Sequence, residues 1–386
     1  MNYLLLTEYF PESEQAELTG GVECRCFHLV KQLAKAHEVV VLCSHQPGQP
    51  RVSKIMGAKI IRCGPSMLYS GKGNLIKRFM FSYALYSVGK RLSNNQSFNF
   101  SPDIVEGACF ITYPSAYFLG KRFNAKKVAT WHETWIGEWV KNKGWFTGLF
   151  GEIWERLALK LNWDKIICVS NFTKKQLVEK KVRCKNIEVI PNGINLKQLN
   201  NITSSKEKYP TICYFGRLNW QKNLPILIKA LLIIKKEIPK VKCRIIGTGP
   251  AENGLKELVQ NLGLQDEVTF SGYIKNYQEL LSQAKACHVF VSPSTLEGFG
   301  ITVIEAMALR LPYVITDISP FLEITRNGKG GEIFQQMNVK DLAQKVVKLL
   351  TNKKEYLQKL EEGKLLIEEY DWKKITKNYL PEKKPL

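Results

Sequence analysis

Short apolar runs recur along the chain and alternate with stretches of helical period. In the first half "YLLLTEY", "EVVVLCS", "AKIIRC", "DIVEGA", "KKVATWH" and "DKIICVS" are nearly unbroken hydrophobic runs of strand length, the pattern of strands buried on both faces of a parallel sheet. Between them lie segments such as "TGGVECRCFHLVKQLAKAH", which reads as a helix. A second series, "TICYFGRL", "VKCRIIGTG", "EVTFSGY", "CHVFVSPS" and "LPYVITD", begins after "VIPNGINLKQLNNITSSKEKYP", whose Asn, Ser, Lys and Pro content marks a connection. Strands alternating with helices predict right-handed βαβ units, and two such series in 386 residues predict two doubly wound α/β domains, over 1–192 and 193–369. A ligand is expected between them, at the carboxyl ends of the strands.

Charge changes the picture of an ordinary globular protein. The 56 Lys and Arg against 35 Asp and Glu leave a net +21, which admits nucleic acid, an anionic membrane surface or phosphorylated ligands as partners. From Val39 to Pro102 there is no acidic residue, while Arg51, Lys54, Lys59, Arg62, Lys72, Lys77, Arg78, Lys90 and Arg91 all lie there. Within it "GNLIKRFMFSYALYSVGKRL" mixes Leu75, Ile76, Phe79, Met80, Tyr83 and Tyr86 with cations at near-helical spacing. That pattern suits either a basic helix lying on an anionic bilayer or a helix packed on a sheet with solvated lysines outside. No nucleic-acid motif accompanies it, so nucleic acid is not the expected partner. The ten cysteines sit largely in apolar runs such as "KIICVS", as free thiols do, and the spacing of Cys24 and Cys26 does not suit zinc. With no secretory signal in "MNYLLLTEYFPE" and no apolar run of ~18 residues, the expected location is cytoplasmic, with peripheral contact at the inner face of the membrane.

Candidate chemistry gathers where apolar runs end in glycine-containing turns. In "STLEGFGITVIEAMA" Glu297 and Glu305 are eight positions apart, about 80° on one helix, so a single helical face does not explain the pair. Glu297 is expected in a loop, Gly298 and Gly300 at a turn, and Glu305 in the first turns of the helix that follows. Amides at such a helix start hold an anion and the carboxylates hold neutral hydroxyls, a combination that describes a nucleotide or sugar nucleotide. A plain strand-to-helix turn with two exposed glutamates is the alternative. "GRLNWQKN" carries Arg217 and Lys222 in a strand-end loop, suited to neutralising a diphosphate. "GTGP", at 247–250, is another strand-end glycine turn and lacks the dinucleotide spacing. "TGGVE" places Gly20 and Gly21 ahead of a helix, and "ATWHETW" places His132 at a strand end, where it serves as a general acid-base group, a hydroxyl-binding group or a structural histidine.

Taken in order, "TGGVE", "TWHETW", "VSNFTKKQL", "PNGIN", "FGRLNWQKN", "IIGTGP", "EGFGITVIEAMA" and "LPYVITD" resemble the retaining glycosyltransferases of family 4, and Glu297 with Glu305 matches their E-x7-E signature. The resemblance implies the α/β fold called GT-B, two Rossmann-like doubly wound parallel-sheet domains facing a central cleft. The first would take the acceptor side and the second the nucleotide sugar, and "EYDWKKITKNYL" resembles the helix that crosses back onto the first domain, over 370–386. Gly21 would lie against the donor and His132 beside the transferred sugar. Arg217 and Lys222 would bind the diphosphate, Glu297 the sugar hydroxyls and Glu305 the ribose. Gly216, Gly249 and the amides around Phe299, Gly300 and Ile301 would complete the donor site, with His132, Glu297, Arg217 and Lys222 as the catalytic set. The donor would be a nucleotide-diphosphate sugar and the acceptor a glycan or lipid-linked hydroxyl near the membrane, with no further cofactor. Asn195, Arg310, Ser319 and Pro320 depart from the family's usual residues. Six aspartates without an Asp-x-Asp pair predict no need for a divalent cation. A sugar-nucleotide epimerase and a non-catalytic sugar- or polyanion-binding protein are the competing readings.

Overall fold

A computed structural model describes all residues except 17, 19, 68–74, 94–98 and 380–386. Lys72 and the last part of the expected 370–386 helix therefore lie outside the described residues. The chain forms two compact units, one of Met1–Pro191 with the segment from Thr376, the other of Asn192–Ile375.

The first unit holds β1 (Asn2–Leu6), β2 (Glu38–His45), β3 (Val52–Ile55), β4 (Ala58–Ser66), β5 (Ile104–Gly107), β6 (Lys126–Trp131), β7 (Lys165–Cys168) and β8 (Ile187–Val189). Their order across the sheet is β3-β4-β2-β1-β5-β6-β7-β8, and every pairing is parallel except the β3–β4 hairpin. The second unit holds β9 (Thr211–Phe215), β10 (Lys242–Ile246), β11 (Val268–Gly272), β12 (Val289–Ser292), β13 (Tyr313–Thr316) and β14 (Gly331–Phe334), all parallel, in the order β11-β10-β9-β12-β13-β14. The central strands are the apolar runs of the sequence: β1, β2, β5, β7, β9, β12 and β13 are buried almost end to end, because helices cover both faces. β3, β8 and β14 were not among those runs. Each is an edge strand of three or four residues, too short and too mixed in polarity to stand out in the sequence.

Residues just before the return to the first unit belong to the second. Ile194 N donates to the Tyr370 carbonyl at 2.8 Å, and Trp372 N donates to the Ile194 carbonyl at 3.1 Å. A Cβ on Gly193 would lie 2.8 Å from the Trp372 ring, so the glycine of "PNGIN" makes room for that indole. The return accordingly begins at Thr376 rather than at 370.

In the first unit the returning segment is held by a buried carboxylate. Glu106 on β5 accepts from Tyr379 Oη at 2.6 Å and Thr130 Oγ1 at 2.5 Å, and from the hydroxyl of Tyr3. Three hydroxyls from β1, β6 and the C-terminal segment thus satisfy an acid that is 1% exposed, where an unpaired carboxylate would be costly. Tyr379→Phe removes one of the three donors without changing the ring. It is expected to lower unfolding stability by about 1–2 kcal/mol in a urea titration.

Candidate functional site

In the second sheet the order runs outward from β9 to β10 and β11 on one side, and from β12 to β13 and β14 on the other. The connections leaving β9 and β12 therefore diverge, and the loops beyond their carboxyl ends border the switch point where doubly wound sheets take their ligands. Residues 216–223 form the first loop and 293–300 the second. Across them Lys222 Nζ lies 2.6 Å from Glu297 Oε1, with the two side chains only 20% and 13% exposed. Ser294 Oγ donates to the same oxygen at 2.8 Å, and Ser294 is itself buried, its carbonyl accepting from Thr316 Oγ1 at 2.7 Å. Thr295 N donates to the Gln221 carbonyl at 2.8 Å, which ties the loops together at the backbone. Both side-chain contacts fall on Oε1. Glu297 is thus a carboxylate oriented by a cation and a hydroxyl, as a hydroxyl-binding acid needs to be.

Glu305 has a different setting. Gly300, at φ +102°, opens the helix Ile301–Ala308, and a Cβ there would strike the Phe321 ring at 2.5 Å. Backbone conformation and packing both require glycine at this point. Phe299 is buried and meets Tyr370 edge-on at 6.1 Å, so its ring belongs to the core. Val303 N already donates to the Gly300 carbonyl at 3.0 Å, so the amides of Ile301 and Thr302 are the ones left without an acceptor in the helix. Glu305 lies one turn on, buried, with Oε1 accepting from Tyr277 Oη at 2.5 Å. Burial pushes its pKa up to about 7, and the Tyr277 hydroxyl holds it from rising further.

The glycines beside Arg217 pack backbone against backbone. Gly216, at φ +144°, donates to the Ile246 carbonyl at 3.0 Å, and Leu218 N donates to the Thr248 carbonyl at 2.9 Å. A Cβ on Gly249 would sit 2.1 Å from the Leu218 carbonyl oxygen, so Gly249 has a structural reason to be glycine apart from any ligand. Arg217 itself is exposed.

The first sheet has its own switch between β1 and β5, and His132 stands at the end of β6, half-buried. Its Nε2 lies 3.1 Å from the Ala108 carbonyl, just beyond β5, and only a protonated nitrogen can donate there. Burial, and after it the Arg25 guanidinium, lower the pKa to about 3 against the opposing Ala108 hydrogen bond. His132 is therefore a neutral imidazole whose Nδ1 carries the lone pair. Such a ring accepts a hydrogen bond from a hydroxyl well and is a weak base. Gly21 opens the helix Gly21–Leu33 and is exposed, and a Cβ there would meet nothing within 4 Å. Arg25, one turn on, donates to the carbonyls of Pro191 at 2.9 Å and Ile190 at 3.0 Å.

Within the second unit the structure brings Lys222 to Glu297, stacks the Gly216 and Gly249 turns, and puts Phe299, Gly300, Ile301 and Glu305 on one continuous turn and helix. Gly21 and His132 belong to the first unit. Sequence reasoning overlooked Ser294, Tyr277 and Arg25. Ser294 stands three positions before Glu297, a local signal that was available. Tyr277 comes from the helix Tyr277–Ala286, and nothing in its surroundings along the chain announces a partner 28 positions away.

Because the folded state holds the Glu305 proton more tightly than the unfolded chain does, Glu305 contributes most below about pH 4.5, and this contribution is lost as pH rises to about 7. Glu305→Gln keeps the shape and removes the ionisation. Its stability relative to wild type should improve by up to about 3 kcal/mol between pH 4.5 and 8, measured by paired denaturant titrations.

Residues 19–198 match the family described as Glycosyltransferase Family 4, and residues 197–365 match Glycosyl transferases group 1. An uncharacterized glycosyltransferase of Haemophilus influenzae is 29% identical over 217 residues, 56% of this chain and 60% of its own length. Alpha-monoglucosyldiacylglycerol synthase of Streptococcus pneumoniae is 34% identical over 172 residues, 41% of this chain and 38% of its own. The chain thus spans less than two thirds of either relative. Among solved structures, sucrose-phosphate synthase from Thermosynechococcus elongatus has the same fold, with a TM-score of 0.78 over 98% of this chain and 97% of that one at 19% identity.

Proposed function

The chain belongs to family 4 of the glycosyltransferases, and on that premise we propose that it moves a sugar from a nucleotide-diphosphate donor to a hydroxyl acceptor with retention at the anomeric carbon. The observation that carries this reading is the Lys222–Glu297 pair at the β9/β12 switch, flanked by Arg217 and by the start of the helix at Ile301. In the reaction the bond from the anomeric carbon to the diphosphate oxygen breaks, and the acceptor oxygen bonds to that carbon on the same face. The acceptor proton passes to the departing phosphate oxygen. Negative charge grows on the diphosphate as it leaves, and Arg217, Lys222 and the amides around Gly300 and Ile301 would stabilise it more in the transition state than before it.

Each carboxylate then has a distinct task. Glu297 orients Lys222 through Oε1 and would accept from the sugar hydroxyls through Oε2, while Glu305 would accept from the ribose. His132, with Nε2–H held by Ala108, would receive a sugar or acceptor hydroxyl at Nδ1, placing it rather than taking its proton. The glycine turn at Gly21 would let the donor approach the backbone. Fixed cations at the diphosphate support transfer without a divalent metal. The Streptococcus relative, whose name states a glucosylated diacylglycerol, supports a lipid-linked or membrane-proximal acceptor.

Arg217→Ala and Lys222→Ala should each weaken calorimetric binding of UDP or GDP by roughly 10- to 100-fold with circular dichroism unchanged. Unchanged affinity in both variants would remove the assignment. Glu297→Gln should lower turnover at saturating donor and acceptor by about 100-fold or more while leaving nucleoside diphosphate affinity within a few-fold. A product of inverted anomeric configuration by NMR, or donor conversion in the absence of any acceptor, would overturn the reaction itself. Transfer should continue in excess EDTA, and activity that disappears there and returns with manganese would contradict the metal-free mechanism.

A further inference from the structure

The helix Trp145–Lys160 in the first unit wears its large apolar residues on the outside. Its inward positions are Gly148, Gly151, Glu155, Ala158 and Leu159. A Cβ on Gly151 would lie 2.4 Å from the Trp139 ring, and one on Gly148 would lie 2.4 Å from the Val140 backbone, so the helix is pressed close by its small residues. Facing out are Trp145 (65% exposed), Phe146 (83%), Leu149, Ile153 and Leu157, a stripe at helical spacing. An ordinary surface helix has the opposite arrangement. Beside it the helix Leu75–Gly89 exposes Ile76, Met80 and Tyr83, and Phe79 joins the two, its ring 4.4 Å from Phe150 and 5.6 Å from Trp154. A groove of about 240 Å³, lined by Phe79, Tyr83, Tyr86, Phe118 and Trp154, continues the apolar surface.

Charge around this face is one-sided. Residues 75–91 contain no acid. The two glutamates of the helix Trp145–Lys160 are engaged within the fold: Glu155 accepts from the indole N–H of Trp139 at 2.6 Å and from Trp135 N at 3.1 Å, and Glu152 accepts from Gly137 N at 2.8 Å and pairs with Arg156. Glu138 is paired with Lys141. Lys77, Lys143 and Lys160 are exposed. A stripe of Trp, Phe, Leu and Ile rimmed by cations matches the boundary of an anionic bilayer, where aromatic rings enter the headgroup region and lysines meet phosphates. A second copy of the chain would bring the same cations against one another.

We propose that this two-helix face seats the first unit on an anionic lipid bilayer, with Trp145 and Phe146 as the inserted residues. The anchor is thus not the one expected from the acid-free segment alone. Arg78, one of the cations of that segment, is tied to Glu8 at 2.9 Å and mostly buried, and the main apolar stripe lies about 70 positions further along the chain, on the helix "WFTGLFGEIWERLALK". Binding to lipid is independent of the transferase reading, because its readout needs neither donor nor acceptor.

The test is co-sedimentation of the full chain with vesicles of phosphatidylcholine alone or with about a third phosphatidylglycerol. Wild type should bind the anionic vesicles, release with added salt, and bind neutral vesicles weakly. Trp145→Ser with Phe146→Ser, at exposed positions and checked for intact fold by circular dichroism, should lower the partition about tenfold or more. Lys143→Gln with Lys160→Gln should weaken it less and flatten its salt dependence. Equal binding by wild type and the Trp145/Phe146 variant, or no binding by wild type to either vesicle, would overturn the proposal. Self-association of wild type that the same double substitution abolishes, without vesicle binding, would assign the face to a second copy instead.

Discussion

Lys222 and Glu297 lie 75 positions apart in the chain, yet their side chains meet at 2.6 Å, because β9 and β12 are neighbours in one parallel sheet and both loops leave from carboxyl ends. Parallel strands place all such loops at one edge, and diverging connections leave a gap between the two at the switch point. Everything assigned to the donor in the second unit depends on that constraint. Thr295 bound to Gln221 holds the loops in register, Ser294 holds the carboxylate, and the helix from Ile301 begins where the second loop ends.

Close backbone approach is the second requirement. The Gly216 and Gly249 turns touch through carbonyls and α-carbons, and Gly300 is wedged against Phe321. Gly249 and Gly300 resist any side chain on packing grounds and Gly216 through its backbone conformation, whereas Gly21 stands in open space. Glycine at Gly21 has no steric cause within the described residues of the protein.

Three buried acids show how differently a carboxylate can be accommodated. Glu106 is surrounded by three hydroxyls and Glu155 by indole and backbone N–H groups, so both are committed to holding elements of the first unit together. Glu305 accepts from the Tyr277 hydroxyl, and burial lifts its pKa to about 7. A carboxylate held by this one hydroxyl retains acceptor capacity for a further donor, which would bring its pKa back down.

The order and type of the main strands, the two-series organisation and the E-x7-E turn were legible in the sequence, because buried parallel strands are written as apolar runs and a helix start is marked by local glycine. Glu297 in a loop, Glu305 within a helix and His132 at a strand end all followed from residues near them in the chain. The edge strands β3, β8 and β14 were not legible, since an edge position asks little of the side chains. Nor were the partners of the site. Tyr277 on Glu305 and Ala108 beneath His132 are contacts between elements distant in sequence; burial by those distant elements sets which group is neutral, and the Ala108 carbonyl sets which nitrogen of His132 carries the proton. The outward face of the helix Trp145–Lys160 was hidden for the same reason. Periodicity reveals that a helix has two faces, but which of them is buried depends on what packs against it, and here Trp139 and Val140 took the side with the glycines.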